Sequence, residues 1–477
     1  MIKLLQYNIF INILLVIIIS MEYILFLFLG DFYLKFIEAQ VVLIFFYSIF
    51  STFKITNNWL DLYMIFLSLT FLFMISRPFM HLFSLVDLMN YDEIEWYRIG
   101  ANFQFKKTTM IIINFVLAYT LLFLNIGYLH GYKKYKNISK YKVLGDSYAK
   151  IFNKKIAYFL FLIGGTAFLI KVYIYIKLLS QYGYVYLYSG NFSLPIIIRI
   201  FDDFFYIGYV LLLVNLPTKK ESYIISSIFV LLSSSMLLTG MRGEFFVILF
   251  SVVWALSTIY QWKVKLYKIV IAGVSLILLG QSILLIKYSY IDYTDVNVID
   301  LVNLFIYSQG VSILNLGYTI EFSDRIVDIY SGFRYFISAF VDIFFTLTGQ
   351  TVPRSNANPD TIYDIGSRIL ILINPDGYHA GSGIGSSYIS EFYALGGDVF
   401  LLSLCSFFLG FFIVYLSKKL IYQKYGLFIA LIIIPMLFWL PRSTIGIIYK
   451  KYIFAYILII FLIFVYNLLT TKKELQK

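Results

Sequence analysis

Four arginines stand in settings where a guanidinium could bind an anion. Arg242 lies in the tight run Thr239-Gly-Met-Arg-Gly-Glu244, Arg442 follows a proline in Pro441-Arg-Ser-Thr444, and Arg354 and Arg368 flank the acids Asp360 and Asp364. A guanidinium presents a planar fork of donors that matches phosphate or carboxylate through two parallel hydrogen bonds. Any one of these arginines can equally be a structural clamp paired with a nearby acid. A second cluster follows. Between Asn374 and Glu391 the chain reads NPDGYHAGSGIGSSYISE, with His379, the pair Ser386 and Ser387, and Glu391 set around Gly381, Gly383 and Gly385. The glycines let a backbone come close to a ligand, and Ser386 or Ser387 can cap a helix beginning at Tyr388. Glu391 then falls near the first turn, where a carboxylate also complements the helix dipole. Neither the GxxxxGK(S/T) nor the GxGxxG pattern occurs, so the loop is not of the nucleotide-binding type.

The elements that must carry these residues are set by composition. Of the 477 residues 61% are apolar and 13% charged, where an ordinary globular domain carries about 25% charged residues. The charges come in short clusters between apolar runs of about twenty residues, enough to cross a hydrocarbon layer of roughly 30 Å. This excludes a soluble fold and predicts an all-α polytopic integral membrane protein, a single membrane domain over residues 1–477. It would have about 12 transmembrane helices, at roughly 8–30, 36–53, 59–76, 109–129, 156–176, 196–216, 223–240, 245–261, 269–289, 397–417, 425–441 and 450–469. The first run is too long for a signal-peptide core and reads as a retained span. The lysine-rich segment 130–155 belongs in the cytoplasm by the positive-inside rule, and counting crossings places the large loop 290–396 on the opposite, periplasmic face. Leu304, Tyr307, Val311, Leu314 and Tyr318 have helical spacing, so the first part of that loop reads as amphipathic helices at the membrane surface. Its middle, Gly349 to Asp364, is rich in Pro, Asn, Asp and Thr and reads as irregular.

This topology segregates the cations. Every basic residue in the cytoplasmic segments is Lys, whereas the nine arginines lie elsewhere. Arg77, Arg98, Arg242, Arg325, Arg334, Arg354, Arg368 and Arg442 fall on the outer side and Arg199 within a span. A chain that uses Lys wherever charge alone suffices has placed Arg on the face where cations are disfavoured. The outer face is therefore expected to handle an anionic group, most simply the diphosphate of a lipid-linked substrate. Arg199, Asp202 and Asp203 sit inside one span, where pairing within a helical turn could satisfy them. His81 and His130 read as interfacial and inert. The single cysteine, Cys405, and three histidines far apart in sequence predict neither a metal site nor a cofactor.

The outer loop ending in Gly-Ser-Gly-Ile-Gly-Ser-Ser-Tyr-Ile-Ser-Glu-Phe-Tyr-Ala-Leu-Gly-Gly, the Gly-Met-Arg-Gly-Glu turn and the Pro-Arg after the penultimate span together resemble the Wzy O-antigen polymerases. The similarity runs over Thr239 to Thr444, and the span plan over the whole chain. The resemblance implies a GT-C-like membrane glycosyltransferase of the bacterial inner membrane that elongates O-antigen. Its partners would be an undecaprenyl-diphosphate-linked glycan, the lipid bilayer and a periplasmic chain-length regulator, with no nucleic acid. On that reading Arg242, Arg354, Arg368 and Arg442 hold the diphosphate, with Arg242 and Arg368 foremost, and Ser386 and Gly383 contact substrate. Glu391 or His379 is the general base. Paired arginine-to-glycine motifs of some family members fit only loosely, since Arg354 precedes Gly366 and Arg368 precedes Gly381 at other spacings. Two alternatives stay open: an O-antigen ligase, which shares donor and architecture, and a flippase or transporter, which should show an inverted repeat that this chain lacks.

Overall fold

The computed structural model describes residues 2–30, 33–85, 105–136, 154–182, 194–215, 218–239, 242–262, 264–287, 298–326, 333–335, 337–338, 340–341, 364–379, 383–423, 425–453, 456–458 and 460–461. Every regular element among them is helical. In chain order these include α1 (Ile2–Leu29), α2 (Leu34–Thr56), α3 (Leu62–Thr70), α4 (Ser76–Leu82), α5 (Lys107–Tyr135), α6 (Lys154–Tyr182), α7 (Ile196–Val214), α8 (Lys219–Ser234), α9 (Arg242–Tyr260) and α10 (Leu266–Lys287). There follow α11 (Val298–Gln309), α12 (Ile313–Glu321), α13 (Ser323–Ile326), α14 (Ile365–Ile373), α15 (Pro375–His379), α16 (Tyr388–Ala394), α17 (Val399–Lys418) and α18 (Gly426–Trp439).

Eight helices among the described residues are long and apolar enough to cross a bilayer: Lys3–Leu29, Leu34–Thr56, Leu62–Leu82, Lys107–Tyr135, Lys154–Tyr182, Lys219–Thr239, Gly243–Tyr260 and Val399–Tyr422. Leu266–Leu278 and Gly426–Arg442 are shorter apolar helices, and α7 has 19 residues with Arg199, Asp202 and Asp203 among them. The third span runs further than its apolar run suggests, because a π turn at Phe71–Ile75 joins α3 to α4. Pro78 offers no N–H to the Met74 carbonyl and its ring would collide with it in a regular helix, which accounts for the wider turn just before it.

The helices pack as two compact units. The first comprises Met1–Tyr135, Val264–Tyr415 and Trp439–Ile447, the second Lys136–Lys263, Leu416–Phe438 and Ile448–Lys477. In the first, α5 and α17 approach closely at small residues: a methyl group at Gly127 would collide with the Phe407 carbonyl, and one at Gly410 with the Leu124 carbonyl. In the second, α6 and α7 do the same at Gly164 and Gly208. Lipid is as apolar as any side chain, so such backbone proximity, with its gain in van der Waals contact, supplies what hydrophobic burial supplies in water.

One expectation about the loops changes. The helical pattern from Leu304 to Tyr318 is present, but α12 is no surface helix: Ile313, Leu314, Asn315, Leu316, Gly317, Thr319 and Ile320 are all buried. Its polar side chains find partners inside, where the sequence pattern alone assigns them to water. The basic segment 130–155 is helical up to Tyr135 and again from Lys154, and its residues 137–153 lie outside the described residues, as do 349–363 of the outer loop.

Candidate active site

The glycine-serine stretch and the turn after α18 meet in the first unit. Ser387 caps α16, its hydroxyl accepting the Ser390 N–H at 3.1 Å. This sets Glu391 in the first turn, where it is only 2% exposed. The Ser386 hydroxyl donates to Glu391 Oε1 at 3.2 Å, and the backbone N–H of Ile445 donates to Oε2 at 2.8 Å. Burial pushes the Glu391 carboxyl well above the usual carboxylate range; the Ile445 bond opposes this, nearby Asp364 adds to it, and the Ser386 bond opposes it again. A carboxyl shifted in this direction is a stronger base than an ordinary exposed glutamate.

The loop before α16 is held from two sides. Gly385 adopts φ +71°, a left-handed conformation that glycine reaches without strain. Its carbonyl accepts from Asn315 Nδ2 on α12 at 2.9 Å, and the same carbonyl lies against Gly366, where a methyl group would collide with it. Gly366 sits in the first turn of α14, which Asp364 caps by accepting the Ser367 N–H at 2.7 Å. The backbone is exposed at Gly383 and Gly385, while Ser386 is buried. Gly381 lies outside the described residues.

The arginines divide. Arg442 donates from Nη1 to Gln309 Oε1 at 3.3 Å, and its guanidinium lies 5.8 Å from the ring centroids of both Phe73 and Trp439. No carboxylate of the described residues pairs with it. Phe73 comes from the π turn and Gln309 from the end of α11. Arg368 is buried on α14, donates from Nη2 to the Arg325 carbonyl at 2.8 Å and lies 6.0 Å from the Tyr335 ring. Arg77 is buried with Nε on the Tyr307 carbonyl at 3.1 Å and its guanidinium 4.3 Å from the Tyr307 ring. Arg242 begins α9 in the second unit, and Arg354 lies outside the described residues. His379 ends α15, exposed, with its ring edge-on to Tyr378 at 5.5 Å; the bonds that hold Glu391 come from Ser386 and Ile445 instead.

Two polar pairs between helices escape the sequence pattern. Glu38, fully buried on α2, meets His81 Nδ1 on α4 at 2.8 Å, so His81 is a paired group and not an inert one. Asp202 bonds Lys171 on α6 at 2.6 Å, a partner outside its own helical turn. Both partners come from a neighbouring helix, a relation that no local spacing encodes. An acid in an apolar run is itself the signal that could have found Glu38.

No curated protein and no solved structure matches the chain. The model of one family, O-antigen polysaccharide polymerase Wzy, matches residues 7–474. That match takes in both ends of the site, the Glu391 loop and the Arg442 turn, together with nearly every helix that carries them, and the chain belongs to the O-antigen polysaccharide polymerase Wzy family.

Proposed function

We propose that this multi-pass membrane polymerase joins undecaprenyl-diphosphate-linked oligosaccharide repeat units on the periplasmic face of the inner membrane. In this reading the twelve spans of the sequence plan form a GT-C-like glycosyltransferase, and a periplasmic chain-length regulator is a further partner. A hydroxyl of the acceptor repeat unit attacks the anomeric carbon of the growing chain. The bond from that carbon to the diphosphate oxygen breaks as the new glycosidic bond forms, and the lipid diphosphate leaves. Arg442 stabilises the charge that develops on the leaving group, a task for preorganised donors that needs no metal. The acceptor's proton passes to Ser386 as the Ser386 proton passes to the ionised carboxylate of Glu391, which ends the step neutral. Gly383 offers exposed backbone to the substrate, and Arg368 stands behind the loop. Arg354 and, treated by itself, Arg242 keep the anion-binding role that their sequence settings suggest. His379 remains the competing base.

One observation carries the reading: the buried carboxyl of Glu391 is bonded to the backbone of the same short turn that bears Arg442, three residues before Ile445. Acid–base chemistry and phosphate recognition thereby share one anchored piece of chain. The test is a lipopolysaccharide gel of cells carrying Glu391→Gln. With normal expression and insertion, the ladder should collapse to core plus one repeat unit. A full ladder from Glu391→Gln, beside an inactive and normally expressed His379→Ala, would transfer the role to His379.

A further inference from the structure

We infer that Gln309 is a positioning residue that orients Arg442 while leaving its charge uncompensated for the incoming lipid-linked diphosphate; this rests on the reading of Arg442 given above. One other cation partly shielded from water faces a carboxylate: Lys171 faces Asp202. The contacts of Arg442 are of another kind. Its contacts are the neutral amide oxygen of Gln309, at 3.3 Å, and the faces of Phe73 and Trp439. Ring faces and an amide oxygen fix the direction of a guanidinium without cancelling its charge. Gln309 is itself only 7% exposed and is held in register by Gly310, whose missing side chain lets the chain press against Ser76 and Arg77. A glutamate of nearly the same shape would fit there and bind Arg442 more strongly. The residue present is the one that keeps the cation available.

The two roles give opposite orders for two near-isosteric variants. If Gln309 only braces the fold, Gln309→Glu strengthens the bond to Arg442 and should be tolerated, while Gln309→Met, which lacks an acceptor, should be the worse variant. If Gln309 preserves an uncompensated charge, Gln309→Glu pairs Arg442 internally and should be the worse. Purified full-length protein in lipid nanodiscs would be assayed for chain growth on an undecaprenyl-diphosphate-linked repeat unit, with Arg442→Ala alongside. The expected result for Gln309→Glu is a KM raised roughly ten- to a hundredfold, the scale of one hydrogen bond to a charged group. Its kcat should change less and its thermal midpoint should not fall, and Gln309→Met should show the smaller rise in KM. A wild-type KM for Gln309→Glu, or a larger rise for Gln309→Met, overturns the inference while Arg442→Ala still impairs binding. A wild-type KM for Arg442→Ala instead removes the diphosphate reading of Arg442, and the inference with it.

Discussion

At the scale of single residues, Glu391 and the arginines make separable predictions. The Glu391 carboxyl is raised by burial, so the folded state favours its neutral form. The sign follows by linkage: the stability it contributes is fully present below the ordinary glutamate pKa and is lost as pH rises through the raised folded value. A glutamine in its place would preserve the shape and the acceptor for the Ile445 N–H without ionising. Thermal midpoints of wild type and Glu391→Gln, taken from about pH 5 to 9, should therefore diverge, with wild type falling relative to the variant as pH rises. Parallel curves would mean that Glu391 does not titrate in the folded protein. For the arginines, exchange to Lys retains charge and removes the planar fork. The bonds at Arg368 and Arg442 give these two arginines different expected outcomes. Arg368 spends a donor on the Arg325 carbonyl, so Arg368→Lys should lower stability by about 2 kcal/mol and spare chain elongation in the protein that inserts. Arg442→Lys should do the reverse, collapsing the gel ladder at unchanged stability. Lys133→Arg and Lys134→Arg serve as controls and should change nothing.

At the scale of elements, what is local was legible and what is tertiary was not. The start of α16 and its cap could be read from Ser387 and Tyr388, because capping involves residues only three apart. The partner of Glu391 is an N–H 54 positions further on, and no spacing within the loop points to it. The buried state of α12 was hidden for a related reason. An amphipathic helix at the membrane surface would turn its polar side to water, yet Asn315 bonds the Gly385 carbonyl and Thr319 bonds back to the Asn315 carbonyl. The close approach of α14 to the loop gives a direct test. Gly366→Ala places a methyl group against the Gly385 carbonyl, which must shift the loop that presents Ser386. Polymerisation should be lost although expression and insertion persist; a full ladder would show that the loop position does not matter. Across α6 and α7, Lys171→Met leaves Asp202 without its ion-pair partner, and removing one member of a buried pair costs about 3 kcal/mol. Replacing both, as Lys171→Met with Asp202→Leu, should recover most of that loss in thermal unfolding. A double variant as unstable as the single one would show that the pair is not what holds these helices together.

At the scale of the whole molecule, the uneven use of arginine and lysine rests on topology. Eight helices of sufficient length and apolarity make this a multi-pass membrane protein, and the polymerase family supplies the reaction. Neither says which face each loop occupies. The lysine-rich segment 130–155 and the outer loop 290–396 are separated by an odd number of crossings in the twelve-span plan, so they must lie on opposite sides. In that plan the positive-inside bias of the first would put Arg354, Arg368 and the Glu391 loop on the outer side. A reporter active only in the cytoplasm should work when fused at Tyr141, and one active only in the periplasm should work at Asn356. Reversal at either position would place the arginines with the lysines, and their segregation would cease to be evidence for an anionic substrate. The expected pattern would instead put Arg354 and Arg368, which share the loop with Asn356, on the face where a cation is disfavoured on topological grounds, so that each must be kept there by what it binds.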